Sequence, residues 1–240
     1  MNKVAIIGAN GFVGKAITKA FLQSGKNDVV QVVSNNYELI KEQQTKFDII
    51  IHSAMPSKRW WAANNPIDDF DATVKLTADI LYNWKFKKIA LISSVSARLQ
   101  TNHTYGRHKH LAEVLVSDYS SENVIFRLGG LFGEGLDKGV IFDMIEGNEV
   151  FMTSDSAFNY IATETASKLI LKYIDETGII EIGAKDTISI GEIAKYFNLK
   201  VQFGNRIEHQ TTEYPKSDFP EAKEIIPYIH SLISKKNDRL

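Results

Sequence analysis

The chain has 240 residues, 44% of them hydrophobic, which is enough for a substantial core. Its 28 lysines and arginines nearly balance 29 aspartates and glutamates, so neither nucleic acid nor an anionic membrane is expected as a partner. The absence of cysteine excludes disulfides, thiolate catalysis and sulfur-ligated zinc. With no apolar stretch long enough to span a bilayer and no cleavage-site pattern at the N-terminus, we expect a cytoplasmic protein.

The first fourteen residues predict a buried strand, a glycine turn and the start of a helix. Residues 4–7 are all apolar, as in a parallel strand covered on both faces. A variant of the dinucleotide fingerprint follows, with alanine at its second glycine, and it reads Gly8-Ala9-Asn10-Gly11-Phe12-Val13-Gly14. The helix N-terminus offers free N–H groups and a partial positive charge to a pyrophosphate. The pattern favours a dinucleotide site over a purely structural turn.

A second apolar run, residues 28–33, predicts the next strand, and Gly25 is placed to end the helix between them. In NAD-binding units of this kind an acid near the end of the second strand holds the adenosine ribose. Here the strand runs into Ser34-Asn35-Asn36, which offers neither that carboxylate nor an arginine for a 2′-phosphate. Ser34 and Asn35 are candidate contacts, and the choice between NAD and NADP stays open.

Residues 37–45 predict a helix and residues 47–54 a third strand, followed by a loop over residues 55–64. Trp60 and Trp61 in that loop either wall an active site or pack beneath the loop. Pro66 predicts the start of a helix that extends to Trp84. We interpret its early acids as favourable charges at a helix N-terminus rather than as a metal or acid–base cluster; they are Asp68, Asp69 and Asp71.

A fourth strand, residues 88–92, ends in Ser93-Ser94, and Tyr105 opens a helix that leads to a fifth strand at residues 124–128. Tyr105 and Lys109 are four residues apart, so they lie on one face of that helix. A nearby ammonium stabilises a phenolate and lowers the pKa of a tyrosine from about 10. Ser94 lies at the carboxyl end of its strand, where open α/β sheets bind ligands. We predict these three as catalytic, although an exposed helical Tyr/Lys pair is the simpler alternative.

Alternating strands and helices predict a Rossmann-like, doubly wound parallel α/β sheet over residues 1–133. Residues 134–240 predict a small α+β lobe packed on it, from which some segments return to the sheet. Its expected elements are helices at 162–173, 189–197 and 220–234, the last interrupted near Pro227, and extended segments at 179–182 and 201–203. The spacing of His103, His108 and His110 does not suit a metal, so we predict no metal site.

Together these segments resemble the extended short-chain dehydrogenase/reductases, specifically the NAD-dependent epimerase/dehydratase group that acts on nucleotide sugars. Five segments are similar to that family's motifs, and they occur in the same order: Gly8 to Gly14, Asp48 to Ala54, Ile92 to Ser94, Tyr105 to Glu113, and Arg127 to Gly133. More weakly, Ile182-Gly183 and Ile188 to Ala194 are similar to its C-terminal strand, turn and helix. The resemblance thus covers most of the chain.

The resemblance implies that Tyr105 is the acid–base residue, that Ser94 holds the reacting oxygen, and that Lys109 also contacts the nicotinamide ribose. It also implies cofactor contacts at Ser53 and Ala54, and a homodimer formed through the helices at 66–84 and 105–119. The chain departs from the family at Thr73 to Thr77, at Arg98 and at Thr163-Glu164, and the segment before His52 is short enough to lack a strand and a helix.

Three functions follow as hypotheses. The first is an NAD(P)-dependent epimerase or dehydratase-type oxidoreductase of a sugar-like substrate, best a nucleotide sugar. The second is an NAD(P)H-dependent reductase of a small ketone or aldehyde, favoured by the short C-terminal part. The third is a dinucleotide-sensing regulator without turnover, which would have no need of Ser94, Tyr105 and Lys109.

Overall fold

The computed structural model describes residues 1–136 and 138–237. Its strands are β1 (Asn2–Ile7), β2 (Asn27–Val32), β3 (Lys46–His52), β4 (Lys85–Ser94), β5 (Asn123–Leu128), β6 (Leu131–Phe132), β7 (Val150–Met152), β8 (Ala157–Phe158), β9 (Ile161–Ala162), β10 (Gly178–Ile182), β11 (Ile188–Ser189), β12 (Phe203–Arg206) and β13 (His209–Gln210). Its α-helices are α1 (Phe12–Gln23), α2 (Tyr37–Glu42), α3 (Arg59–Asn64), α4 (Pro66–Phe70), α5 (Leu76–Asn83), α6 (Ser96–Leu99), α7 (Thr104–Tyr119), α8 (Val140–Glu146), α9 (Thr163–Lys172), α10 (Ile190–Tyr196) and α11 (Ile225–Asn237). A π-helical turn (Asp71–Lys75) joins α4 to α5, and a 3₁₀ turn (Ala222–Glu224) precedes α11.

The central sheet has six strands in the order β10-β5-β4-β3-β1-β2. The pairs β1–β2, β1–β3, β3–β4 and β4–β5 run parallel. Because Ile7 pairs with His52 and Ser94 with Leu128, the carboxyl ends of these strands lie along one edge. The chain passes from β1 to β2 on one side and returns to β3 on the other, which creates a ligand-binding crevice at that edge. The predicted doubly wound α/β fold is confirmed.

β2 is the edge strand of this sheet. The classic doubly wound order places a further strand outside the second one. Here the chain goes from β2 through the short helix α2 directly to β3, which lies on the other side of β1. The loss of one strand and one helix that the short segment before His52 predicts is therefore confirmed.

Both faces of the sheet are covered. Ala5 and Ile7 point to one face and Val4 and Ile6 to the other, and all four are at most 2% exposed. One face packs on residues of α5 and α7, which include Ile80, Leu81, Ala112 and Val116. This double burial explains why the strands read as unbroken apolar runs.

The chain divides into two compact units, residues 1–128 with 167–180, and residues 129–166 with 181–240. The sequence places the boundary at Gly133 and allows for segments that return to the sheet. Contacts place it after Leu128 and return residues 167–180 to the first unit, because β10 extends the parallel sheet as its sixth strand. The predicted boundary was therefore a few residues late.

The second unit contains short strands and helices around its own apolar core. The strands form the sheets β11-β8-β13, β12-β7 and β6-β9. The core includes Phe132, Met144, Phe158, Ile190, Ile193, Ile225 and Ile229. Ser189 caps α10 as predicted, since its hydroxyl accepts from the Glu192 N–H at 3.1 Å while the Glu192 carboxylate accepts from the Ser189 N–H.

Two local predictions were wrong. Pro227 does not interrupt the last helix, because α11 begins at Ile225 and its first turn has no need of the N–H group that proline lacks. Part of the expected loop at 55–64 is the short helix α3. Gly25 ends α1 as predicted, with a φ of +65° that favours glycine.

Among the described residues, none of the helices is both long enough and apolar enough to cross a membrane.

Candidate active site

The glycine turn is fixed by close backbone packing. Gly8 has a φ of +89°, and a Cβ on it would lie 2.7 Å from the Ala54 backbone. A Cβ on Gly14 would lie 2.0 Å from the Gly8 carbonyl oxygen, and the Gly11 N–H donates to the same oxygen at 2.9 Å. A side chain at Gly8 would therefore push the turn away from the end of β3, and a side chain at Gly14 would push α1 away from the end of β1. Ala9, at the position of the second glycine, is buried.

This turn fits the pyrophosphate of a dinucleotide. Asn10 and Gly11 are exposed, and the N–H groups of Phe12, Val13 and Gly14 at the start of α1 have no carbonyl of a preceding helical turn to bind. The first turn contains no acidic residue that would compete with an anion for the positive end of the helix. The arrangement would hold phosphate oxygens by backbone donors alone.

Ser53 and Ala54 border this turn. The Ser53 hydroxyl and N–H both donate to the Ile7 carbonyl at 2.9 Å, so they join the end of β3 to the end of β1. Ala54 contributes the backbone on which Gly8 packs. Their predicted cofactor contacts remain predictions, because these two residues shape the turn in any case.

The loop after β2 is held by Asn36. Its side-chain oxygen accepts from the Val33 N–H at 2.7 Å, and its amide donates to the Gln31 carbonyl at 3.1 Å. Ser34 and Asn35 are left exposed at the tip of the loop. Their predicted role at the adenosine ribose therefore stays a prediction, and this loop has no charged side chain with which to distinguish NAD from NADP.

Ser94, Tyr105 and Lys109 come together at the carboxyl edge of the sheet. A side-chain hydrogen bond joins Ser94 to Tyr105, and the Ser94 hydroxyl also accepts from the Ser96 N–H at 3.2 Å. The Lys109 ammonium lies 5.3 Å from the centroid of the Tyr105 ring, one helical turn along α7. Tyr105 is 9% exposed and Lys109 only 3%, so the pair is buried rather than the exposed helical pair of the simpler alternative.

Burial dominates the ionisation of Tyr105. Desolvation raises the pKa of its phenol, and the Asp69 carboxylate adds to that rise. The Arg59 cation and the hydrogen bond from Ser94 oppose it, since both favour the phenolate. The sequence analysis predicts that the Lys109 ammonium lowers the Tyr105 pKa. That prediction was wrong, because burial outweighs the neighbouring groups and raises the pKa, and the cation that opposes this rise is Arg59.

The pKa of Lys109 lies near physiological pH. Burial lowers the pKa of its ammonium to about 7, while the carboxylates of Asp69 and Glu113 act in the opposite direction. A lysine in this state can exchange a proton at physiological pH. His52 at the end of β3 is also affected, since burial and the nearby Lys109 lower the pKa of its imidazole to about 3.

The neutral His52 side chain has a structural role beside the site. Its Nε2 lies 3.1 Å from the Thr77 hydroxyl, which donates to the Thr73 carbonyl at 2.6 Å and so must accept from the imidazole. Its Nδ1 accepts from the Ala54 N–H at 3.4 Å. The histidine of the resembled strand motif therefore ties β3 to the helix at Thr73 to Thr77.

Two buried polar contacts around α7 were not predicted. Glu113 accepts from Ser93 at 2.6 Å and from both the Nε (3.0 Å) and an Nη (2.7 Å) of Arg127, which fixes α7 to β4 and β5. Asp69 is 1% exposed, and its Oδ2 lies 2.7 Å from Nδ1 of the buried His108. Asp69 lies in the first turn of α4, as the helix-end interpretation predicts, and its side chain also turns inward to His108, which the sequence did not indicate.

The remaining candidates have plainer roles. Trp60 is 77% exposed on α3 beside Arg59, whereas Trp61 is half-buried. Thr163, at the family's acidic position, donates to the Phe132 carbonyl at 2.9 Å. Across residues 1–136 and 138–237, no three His, Asp or Glu side chains are placed to share a metal ion.

The glycine turn and the buried Tyr/Lys pair are typical of one class of proteins, the dinucleotide-dependent short-chain dehydrogenase/reductases. The sequence model of the NAD dependent epimerase/dehydratase family matches residues 4–156, and the chain belongs to that family. It is thus an NAD(P)-dependent enzyme, which confirms the resemblance drawn from the motifs. A comparison with curated proteins gives no significant match.

Several solved structures share the fold at low identity. A UDP-N-acetylglucosamine 4-epimerase from Methanobrevibacter ruminantium M1 is 14% identical, with a TM-score of 0.78 over 100% of this chain and 99% of its own. A UDP-glucuronic acid 4-epimerase from Bacillus cereus, solved with NAD, is 16% identical, with a TM-score of 0.77 over 96% and 99%. A dTDP-4-dehydrorhamnose reductase from Clostridium acetobutylicum is 18% identical, with a TM-score of 0.75 over 97% and 99%. The full-length match places the second unit within this fold as well.

Proposed function

We propose that the protein is an epimerase or reductase of a nucleotide sugar and that Tyr105 moves the proton of the reacting hydroxyl. The observation that supports this most directly is the hydrogen bond between Ser94 and Tyr105 in a buried site beside Lys109. A sensor without turnover would have no use for this arrangement. The proposal rests equally on family membership, which supplies the reaction class.

In the proposed mechanism the Ser94 hydroxyl binds the oxygen of the substrate carbinol. Tyr105 takes the proton of that oxygen as the carbon loses its hydride, and returns the proton when the hydride comes back. A nicotinamide cofactor held at the glycine turn would supply the acceptor and donor of that hydride. Arg59 and the Ser94 hydrogen bond favour the phenolate that removes the proton. A protonated Lys109, whose ammonium lies 5.3 Å from the centroid of the ring, would add positive charge beside it.

The substrate class is inferred from the structural relatives, which are named for nucleotide sugars. Burial of Tyr105 and Lys109 suits a reacting carbon that is brought into a water-excluded site.

A substrate panel tests the proposal. The enzyme is incubated with NAD or NADH and with UDP- and dTDP-linked sugars and 4-keto sugars, and products are read by NMR while absorbance follows the cofactor. An epimerase forms a new sugar epimer at constant NADH, and a reductase consumes one NADH for each keto sugar reduced. Turnover confined to small ketones would favour the second hypothesis, and cofactor binding without any turnover would favour the sensor; either result contradicts the proposal.

We further propose a homodimer formed through α4, α5 and α7. Apolar side chains are exposed along these helices: Ile67 (74%), Tyr82 (68%), Val114 (40%) and Leu111 (38%). Exposed apolar surface of this kind is typical of an interface. Light scattering at micromolar concentration should give twice the chain mass, and Val114→Asp should reduce it to the monomer mass; a monomeric native chain would contradict the dimer.

A further inference from the structure

Asp69 is an unusual acid in this molecule. It is 1% exposed, and only one of its carboxylate oxygens has a partner, Nδ1 of His108 at 2.7 Å. The other oxygen, Oδ1, is buried and forms no hydrogen bond to any described residue. A buried carboxylate that is left half-satisfied costs stability, so this group calls for a functional explanation.

His108 holds this carboxylate in place. It lies between Arg107 and Lys109 on α7, is buried, and contacts the ring of Phe70 edge-on at 5.5 Å. The short bond to Asp69 therefore fixes the carboxylate of α4 against the helix that bears Tyr105 and Lys109. The pair was missed in the sequence because Asp69 and His108 are 39 residues apart.

The charge of Asp69 reaches both proposed proton-handling groups. It acts on Lys109, where it favours the ammonium, and on Tyr105, where it disfavours the phenolate. The other charged and titratable groups that act on these two side chains are Glu113 and His52 toward Lys109, and Arg59 toward Tyr105. Glu113 is already engaged by Arg127, with contacts at 2.7–3.2 Å. Of the two acids that act on Lys109 among the described residues, Asp69 is thus the one with an uncommitted oxygen.

We propose that Asp69, fixed by His108, is a positioning residue that favours the charged form of Lys109 beside Tyr105. Its catalytic meaning rests on the proposed function, in which the ammonium supports the phenolate. Without the Asp69 charge, Lys109 would become neutral at a lower pH, and the alkaline limit of turnover would move in the same direction.

The test is a ¹³C NMR titration of Lys109 in the full chain labelled at lysine Cε, with the resonance assigned by its loss in Lys109→Met. In Asp69→Asn, which keeps the shape and an acceptor for His108, the midpoint of Lys109 should fall by about one pH unit. The matched control is Asp71→Asn, which removes an exposed charge two residues away that pairs with Lys75 at 3.2 Å. It should leave the midpoint unchanged.

An unchanged Lys109 midpoint in folded Asp69→Asn would overturn the inference. If that variant does not fold, Asp69→Glu and Asp69→Gln offer the same comparison at equal size, and an equal midpoint in both would overturn it as well. With a substrate from the panel, the alkaline limb of the pH–rate profile should move with the midpoint. The titration needs no turnover, so its failure refutes this inference alone, whereas failure of the substrate panel refutes the proposed function alone.

Discussion

The glycine turn and the buried polar groups around α7 belong to one proposed site but are built in opposite ways. In the turn, Gly8 and Gly14 are required because a Cβ would collide with backbone atoms a few residues or one strand away. Around α7, the required groups are charged side chains whose partners come from distant segments, as in Asp69–His108 and Glu113–Arg127. The first region is specified by local backbone geometry, and the second by long-range electrostatic pairing. Different substitutions should therefore break them.

The largest effect is expected at the Glu113–Arg127 pair. Arg127→Met leaves the Glu113 carboxylate buried at 3% exposure without its bidentate partner, which should lower the free energy of unfolding by about 3–5 kcal/mol. Urea denaturation measures this loss. The control is Lys75→Met in the exposed pair with Asp71, where a loss below about 1 kcal/mol is expected. Equal losses in the two variants would show that burial does not set the strength of these pairs.

The next effect is expected in the glycine turn. Gly14→Ala places a Cβ 2.0 Å from the Gly8 carbonyl oxygen, and should cost about 3 kcal/mol and weaken NAD binding, because α1 must move from β1. Gly25→Ala is the control, since its Cβ meets nothing within 4 Å and only its φ of +65° is strained, at a cost of about 1 kcal/mol. Denaturation and NADH fluorescence titration compare the two. Unimpaired binding in Gly14→Ala would refute the assignment of the turn to the cofactor.

The smallest effect concerns the pH dependence of stability at Lys109. Burial lowers the pKa of this group from 10.5 to about 7, so between these values the unfolded chain binds more protons than the folded one. The cost of the buried ammonium is fully present below pH 7 and is relieved as the pH rises toward 10.5. From pH 7 to about pH 9, the native chain should therefore gain about 2 kcal/mol relative to Lys109→Met. Denaturation of both chains at both pH values measures this gain. An equal difference in unfolding free energy between the native chain and Lys109→Met at the two pH values would contradict a lowered pKa of Lys109.

The same contrast explains what the sequence could and could not predict. Gly8, Gly11 and Gly14 lie within seven residues, and Tyr105 and Lys109 within one helical turn, so a short stretch of sequence is enough to predict each group. The apolar strands can be predicted too, because burial on both faces leaves an unbroken run such as residues 4–7.

The partners of side chains that meet across distant segments cannot be predicted in this way. Nothing near Asp69 in the sequence indicates that its carboxylate turns inward to His108, and nothing near Tyr105 indicates that Arg59 is the cation acting on it. The Pro227 error has a local cause: the residue type suggests a break, but its place in the first turn of α11 removes the penalty. The side chain of Asn36 holds its own loop, because its oxygen accepts a hydrogen bond from the Val33 N–H.

The central claim is that Tyr105 moves the substrate proton, and Tyr105→Phe tests it most directly. This substitution removes one oxygen from a buried ring and leaves the glycine turn untouched. With a nucleotide sugar that the native enzyme converts, turnover should fall by about 10²- to 10⁴-fold, while the dissociation constant for NAD changes by less than about twofold. Turnover that stays near the native rate in a folded, NAD-binding Tyr105→Phe variant would contradict the account.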